Sequence, residues 1–169
     1  KTPAQRDLIN RALDQNFVFA SMTEDERNLL INAMERQEVK GNHSLIKQGD
    51  DGDFFYIIEK GNFTVFVDDV QVSSLGDGKS FGELALIYNT PRQATVKSST
   101  AGVVFALDRS TFRYILAKSS ADRSREIQDA LSKVSILSGL EPDQISKVSE
   151  VVEIIVFDKG QHIIKKGSE

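Results

Sequence analysis

The chain has 169 residues and no cysteine. That excludes a disulfide framework, a thiol nucleophile and a zinc–thiolate centre. There are two histidines, His43 and His162, far apart in sequence. They cannot supply a three-histidine metal site, so a cupin-type metalloenzyme is excluded. No apolar run approaches the ~20 residues that span a bilayer. A basic excess is missing as well: 21 Lys and Arg stand against 25 Asp and Glu, for a net charge of −4. Nucleic-acid surfaces need a basic face, and this composition offers none. It leaves room for a small anion, because one arginine in a closed pocket can dominate its surroundings. No leader-like pattern follows Lys1, which reads as a segment cut from a longer protein. What remains, 40% hydrophobic and 27% charged residues, is the balance of a globular domain.

The patterning predicts three zones. Residues 3–37 are helical: Leu8, Ile9, Ala12 and Leu13 recur at helical spacing. After a break at Asn16–Phe19, Thr23 and Glu26 form a capping-box pair, and Leu29, Leu30, Ala33 and Met34 supply an apolar face. Residues 38–108 are strands, with "SLIKQG", "FFYIIEKG", "FTVFVDD", "VQVSSLG", "ATVKSS" and "GVVFALD" short, β-branched or aromatic, and punctuated by glycine. Residues 109–133 return to helix, with Thr111, Phe112, Ile115, Leu116 and Ala117 on one face and a polar continuation after them. The fold class this implies is α+β: an antiparallel barrel or jelly roll of about eight strands between N-terminal and C-terminal helices.

The end of the chain repeats its beginning. "VFASMTEDERNLLINAMERQEVKGNHSLIKQG" (18–49) and "ILSGLEPDQISKVSEVVEIIVFDKGQHIIKKG" (136–167) run through the same order: apolar pair, acidic helix start, amphipathic helix, strand, turn, strand. The offset is 118 residues, pairing Met22 with Leu140 and Gly49 with Gly167. Residues 134–169 read as the opening of a second copy of the domain.

One stretch carries chemistry: "FGELALIYNTPRQATV", residues 81–96. A short helix beginning near Gly82 presents free N–H donors and the positive end of its dipole, which favour an anion. Gly82 permits close approach to the backbone, and Arg92 can hold a phosphate bidentately. Glu83 repels a phosphate but accepts hydrogen bonds from sugar hydroxyls. The set fits a phosphorylated sugar; it also fits a capped helix with a surface ion pair between Glu83 and Arg92.

This stretch resembles the phosphate-binding cassette of cyclic-nucleotide-binding domains, and "IKQGDDGDFFYIIEKG" resembles that family's strand–turn–strand signature. Within the family the pattern most resembles the first nucleotide-binding domain of cAMP-dependent protein kinase regulatory subunits, with the leading helices and the "LSKVSIL" linker included. The resemblance implies that Glu83 takes the ribose 2′-hydroxyl and Arg92 the exocyclic phosphate. Backbone N–H groups of Gly82, Leu84 and Ala85 complete the cradle, Gln93 and Ala94 follow the arginine, and Asp53 orients Arg92. Asp53 also reads as an ordinary turn aspartate. Gly49, Gly52, Gly61 and Gly76 match turn positions. Gln93 replaces the usual alanine or threonine; its amide serves a purine edge or points to solvent. Asp143 stands where an aromatic base cap is expected and cannot stack. Arg123 and Arg125 are nearby candidates for that role or parts of a solvated face.

The implied mechanism is a switch with no catalytic or metal-ligating residue and no cofactor. cAMP is the expected ligand, cGMP the alternative of a cGMP-dependent kinase. Leu84 senses the phosphate, Phe112, Ile115 and Leu116 pack against the closed cassette, and residues 118–133 swing. The expected partner is a protein kinase catalytic subunit, released on ligand binding, with Tyr88 docking on it or serving as a plain exposed or core tyrosine. No Arg-Arg-x-Ser inhibitor sequence precedes Pro3. A dimer through a segment outside this chain and a cytoplasmic location complete what the resemblance implies. A hydrolase would need a metal or a nucleophile–base pair in the cassette, and none is there. A transcription activator would follow with a helix-turn-helix, where this chain opens a second nucleotide domain.

Overall fold

The computed structural model describes residues 1–164. The chain divides into two compact units, residues 1–119 and a second from Ser120 onward.

The first unit opens with α1 (Pro3–Asp14), capped by Thr2 and Gln5, and a 3-10 turn at Phe17–Phe19. The second helix, α2 (Glu24–Ala33), has the expected capping box: Thr23 Oγ1 accepts from the Glu26 N–H while Glu26 accepts from the Thr23 N–H. The helical zone ends earlier than its pattern implied. Met34 leaves the helix with ψ of 135°, and strand β1 begins at Glu35. The buried face is also rotated: Leu30, Ile31 and Met34 are buried whereas Leu29 and Ala33 are exposed.

Eight antiparallel strands follow: β1 (Glu35–Val39), β2 (Ser44–Ile46), β3 (Phe54–Lys60), β4 (Phe63–Val67), β5 (Val70–Leu75), β6 (Ser80–Phe81), β7 (Thr95–Ser98) and β8 (Gly102–Asp108). They form two four-stranded sheets, β1-β8-β3-β6 and β2-β7-β4-β5, the two-sheet form of the expected barrel or jelly roll. Alternation along β3 sorts its side chains to two cores. Ile58 and half-buried Tyr56 meet Val39, Ile46, Phe63, Phe81, Val96 and Val104. Phe55 and Ile57 point the other way, onto Ile9, Leu13, Phe19, Leu30 and Ile31 of the N-terminal helices. Phe19 bridges that second core, with its ring 5.0 Å from Phe55 and 5.8 Å, edge-on, from Phe112. Between β6 and β7 lies α3 (Leu84–Ile87). After β8, α4 runs Arg109–Ser132 as one helix through the polar continuation.

In the second unit a 3-10 turn at Ser135–Leu137 and α5 (Pro142–Ser149) begin 118 residues after their counterparts at Phe17 and Glu24. The strands expected after α5 do not form among the described residues, and Gly167 lies outside them. No helix among the described residues is long and apolar enough to cross a membrane.

Candidate functional site

The site is built where two loops are stitched together. The Arg92 N–H donates to Asp50 O at 2.8 Å, and Arg92 O accepts from the Gly49 N–H at 2.8 Å. Pro91 forms a bridge with Asp51. Gly49, at φ +87°, makes the turn that permits this. The arginine backbone is thereby fixed to the Gly49–Asp53 turn, and its side chain runs inward from there.

The guanidinium of Arg92 donates from Nη2 to Phe54 O at 2.7 Å and from Nη1 to Gly82 O at 3.2 Å. Two glycines make room for it. At Gly82, φ is +82° and a Cβ would lie 2.8 Å from Arg92 Nη1 and 2.9 Å from Phe54 O. At Gly52, expected only to shape a turn, a Cβ would lie 2.5 Å from Arg92 Cζ. Burial pushes the Arg92 guanidinium below its ordinary value, against the opposing pull of Tyr56, Asp53 and Glu83. Burial raises the Tyr56 phenol. A half-buried guanidinium bonded only to neutral carbonyls is an under-compensated cation, which an incoming anion would stabilise.

Arg92 lines a cavity of about 280 Å³ together with Gly82, Glu83, Leu84, Ala85, Thr90, Gln93 and Ala94, over a floor of Ile46, Phe81 and Val96. All seven expected ligand-contacting residues are therefore gathered around one space. Glu83 precedes α3, and its side chain makes no capping bond. No ion pair joins Glu83 to Arg92 among the described residues; both line the cavity, where Glu83 pulls on the guanidinium from a distance. Of the expected backbone donors, Ala85 N–H is engaged with Gly82 O at 3.2 Å. The N–H groups of Gly82 and Leu84 have no protein acceptor among the described residues.

Two expectations are corrected. Asp53 pairs with Arg109 Nη2 at 3.4 Å rather than with Arg92. The register explains it: Phe54 lies opposite Asp108 across β3 and β8, which brings Arg109 to Asp53, while carbonyls occupy Arg92. The apolar link from α3 to α4 is Leu86, fully buried with Phe55, Phe112 and Ile115, while half-buried Leu84 faces the cavity. Phe112 and Leu116 do pack in that core, and Tyr88 is 54% exposed.

Arg109 was not singled out in the sequence. Its guanidinium donates to Ala85 O, Gly52 O and Asn89 Oδ1, the last at 2.7 Å, and Arg113 Nη2 donates to Ile87 O at 3.3 Å. The first turns of α4 are thus tied to both ends of α3. Only the basic character of the helix start hints at this, since the acceptors are mostly backbone carbonyls that any residue carries.

The profile of the cyclic nucleotide-binding domain matches residues 36–119. A cAMP-dependent protein kinase regulatory subunit of Debaryomyces hansenii is 42% identical over 170 residues, across 99% of this chain and 38% of that protein. The regulatory domain of Toxoplasma gondii PKA, solved with cAMP, is 35% identical with a TM-score of 0.60, covering 89% of this chain and 59% of that one. A cyclic nucleotide-binding-like protein from Brucella abortus is 32% identical with a TM-score of 0.60, covering 66% of this chain and 98% of that one. The chain spans less than half the length of the curated relatives it matches.

Proposed function

The chain belongs to the cyclic nucleotide-binding domain family, and we propose that its cavity binds cAMP and relays occupancy through α3 and α4 to a protein kinase catalytic subunit. The observation that carries this reading is the placement of Glu83 and Arg92 on one cavity without an ion pair between them. A ligand that is anionic at one end and hydroxylated at the other satisfies both. Arg92 takes the cyclic phosphate, the free N–H groups of Gly82 and Leu84 add to its cradle, and Glu83 accepts from the ribose 2′-hydroxyl. Gln93 and Ala94 meet the rest of the nucleotide.

The relay rests on existing contacts. Closure of α3 onto a ligand moves Leu86 against Phe112 and Ile115, and moves Ala85, Ile87 and Asn89, which Arg109 and Arg113 hold. The helix that follows then reorients, and with it the surface offered to the kinase, including exposed Tyr88. Residues 134 onward open a second copy of the domain. The relatives named as regulatory subunits support the non-catalytic role.

Calorimetric titration with cAMP, cGMP and 2′-deoxy-cAMP tests the assignment. cAMP is expected to bind more tightly than cGMP, and loss of the 2′-hydroxyl to weaken binding by about 1.5–3 kcal/mol, the range for a hydrogen bond to a charged group. Arg92→Ala should lose about 2–5 kcal/mol of binding energy. Equal affinity of wild type and Arg92→Ala for cAMP would remove the reading, and tighter cGMP binding would move it to the cGMP-dependent class.

A further inference from the structure

We propose that Thr90 is a phosphorylation site for a proline-directed protein kinase, and that its phosphate shuts the cavity to cyclic nucleotide. The second limb rests on the nucleotide-binding reading above; the first does not.

The chain has three prolines, and two follow threonine: Thr2-Pro3 and Thr90-Pro91. The two threonines differ in their surroundings. Thr2 is committed as the cap of α1, its hydroxyl accepting from the Gln5 N–H at 3.3 Å. Thr90 is exposed, lies in a segment without helix or strand, and its hydroxyl makes no hydrogen bond among the described residues. Pro91 biases Thr90 toward extended backbone, and Tyr88 is already extended at φ −106° and ψ 144°. An exposed Thr-Pro with a free hydroxyl, outside helix and strand, meets the substrate requirement of a proline-directed kinase.

The position gives the modification a consequence. Thr90 lines the same cavity as Arg92 and Glu83. It stands two residues before the half-buried Arg92 and one after Asn89, whose side chain is held by Arg109 at 2.7 Å. In the transfer, Thr90 Oγ attacks the γ-phosphorus of ATP. An Oγ–P bond forms as the bond to the β,γ-bridging oxygen breaks, ADP departs, and the hydroxyl proton passes to the kinase's carboxylate base. The product carries a charge of about −1.5 to −2 and strong acceptor oxygens. It draws on the Arg92 guanidinium and repels a second phosphate from the same space. Both effects lower nucleotide affinity.

The protein is incubated with a recombinant proline-directed kinase and MgATP, sites are mapped by mass spectrometry, and cAMP affinity is measured before and after. Wild type, Pro91→Ala and Thr90→Ala are compared, each with its own untreated sample. Phosphate on Thr90 that depends on Pro91, with affinity falling at least tenfold in wild type and unchanged by treatment in Thr90→Ala, is the expected result. Absence of phosphate on Thr90 while Thr2 is modified overturns the site. Stoichiometric Thr90 phosphate with unchanged cAMP affinity overturns the regulation. Untreated wild type that fails to bind cAMP refutes the nucleotide reading and the regulatory limb with it, while the mapping still decides the site.

Discussion

Gly52 and Arg92 lie 40 positions apart in the chain, yet the arginine side chain crosses the glycine so closely that a methyl group there would lie 2.5 Å from the guanidinium carbon. The contact is bounded on the other side by Phe54 O and Gly82 O, which hold both terminal nitrogens. The guanidinium has one place to be, and the missing side chain of Gly52 is what opens it. Gly52→Ala should therefore displace Arg92 while leaving the sandwich intact. We expect at least a tenfold loss of cAMP affinity, about 1.4 kcal/mol or more, with an unchanged circular dichroism spectrum. Wild-type affinity in that variant would show that the contact yields without consequence.

Gly82 is under a different constraint. Its φ of +82° is unfavourable for any side chain, and a Cβ would meet the backbone oxygen of Phe54 at 2.9 Å, which cannot swing aside as a side chain can. Gly82→Ala should lower stability by about 1–3 kcal/mol and weaken binding as well. Urea unfolding measures the first effect; a midpoint within error of wild type would mean that the loop relaxes freely.

Arg109 and Asp53 divide cleanly in burial, with side chains 13% and 68% exposed. The ion pair ends on an exposed carboxylate and is worth little, under about 1 kcal/mol, whereas Arg109 also serves three acceptors on α3, the following loop and the Gly52 turn. Arg109→Ala should cost about 1.5–3 kcal/mol and speed amide exchange across residues 84–89; Asp53→Asn should do neither. If Asp53→Asn instead reduces cAMP affinity as much as Arg92→Ala, the carboxylate acts through Arg92 after all.

Asp108 ends β8 and caps α4, its Oδ1 accepting from the Thr111 N–H at 2.8 Å and from the Ser110 hydroxyl. Burial alone would raise its carboxyl, but these hydrogen bonds outweigh it and hold the group below its ordinary 3.8. The unfolded chain therefore binds the proton first as pH falls. The cap contributes fully above the ordinary value and is lost as pH drops through the lower folded value. Asp108→Ala should lose about 0.5–2 kcal/mol at neutral pH, and the gap from wild type should narrow in strong acid. Urea midpoints across the acid range check this; a gap that widens toward low pH contradicts the sign.

The local signals in this chain are strong, and the sequence alone was enough for what they govern. The Thr23–Glu26 capping box and six of the eight strands follow from short-range patterns, and the grouping of Gly82, Glu83, Leu84, Ala85, Arg92, Gln93 and Ala94 around one cavity follows from the family resemblance. A cap needs three residues and a strand five, and both sit whole within one window of sequence. The other two strands, β1, legible only as the first strand of the repeat, and β6, are explained on the same terms. β1 carries Arg36, Gln37 and Glu38 on an edge of its sheet, and β6 is two residues long. Tertiary structure alone decided which partner each charge takes. Asp53 goes to Arg109 because β3 and β8 pair in one register, Arg92 goes to carbonyls because Gly52 and Gly82 leave room, and Leu86 rather than Leu84 turns into the core. Backbone acceptors carry no identity in the sequence, and a methyl group's absence has meaning only once another chain segment occupies the space.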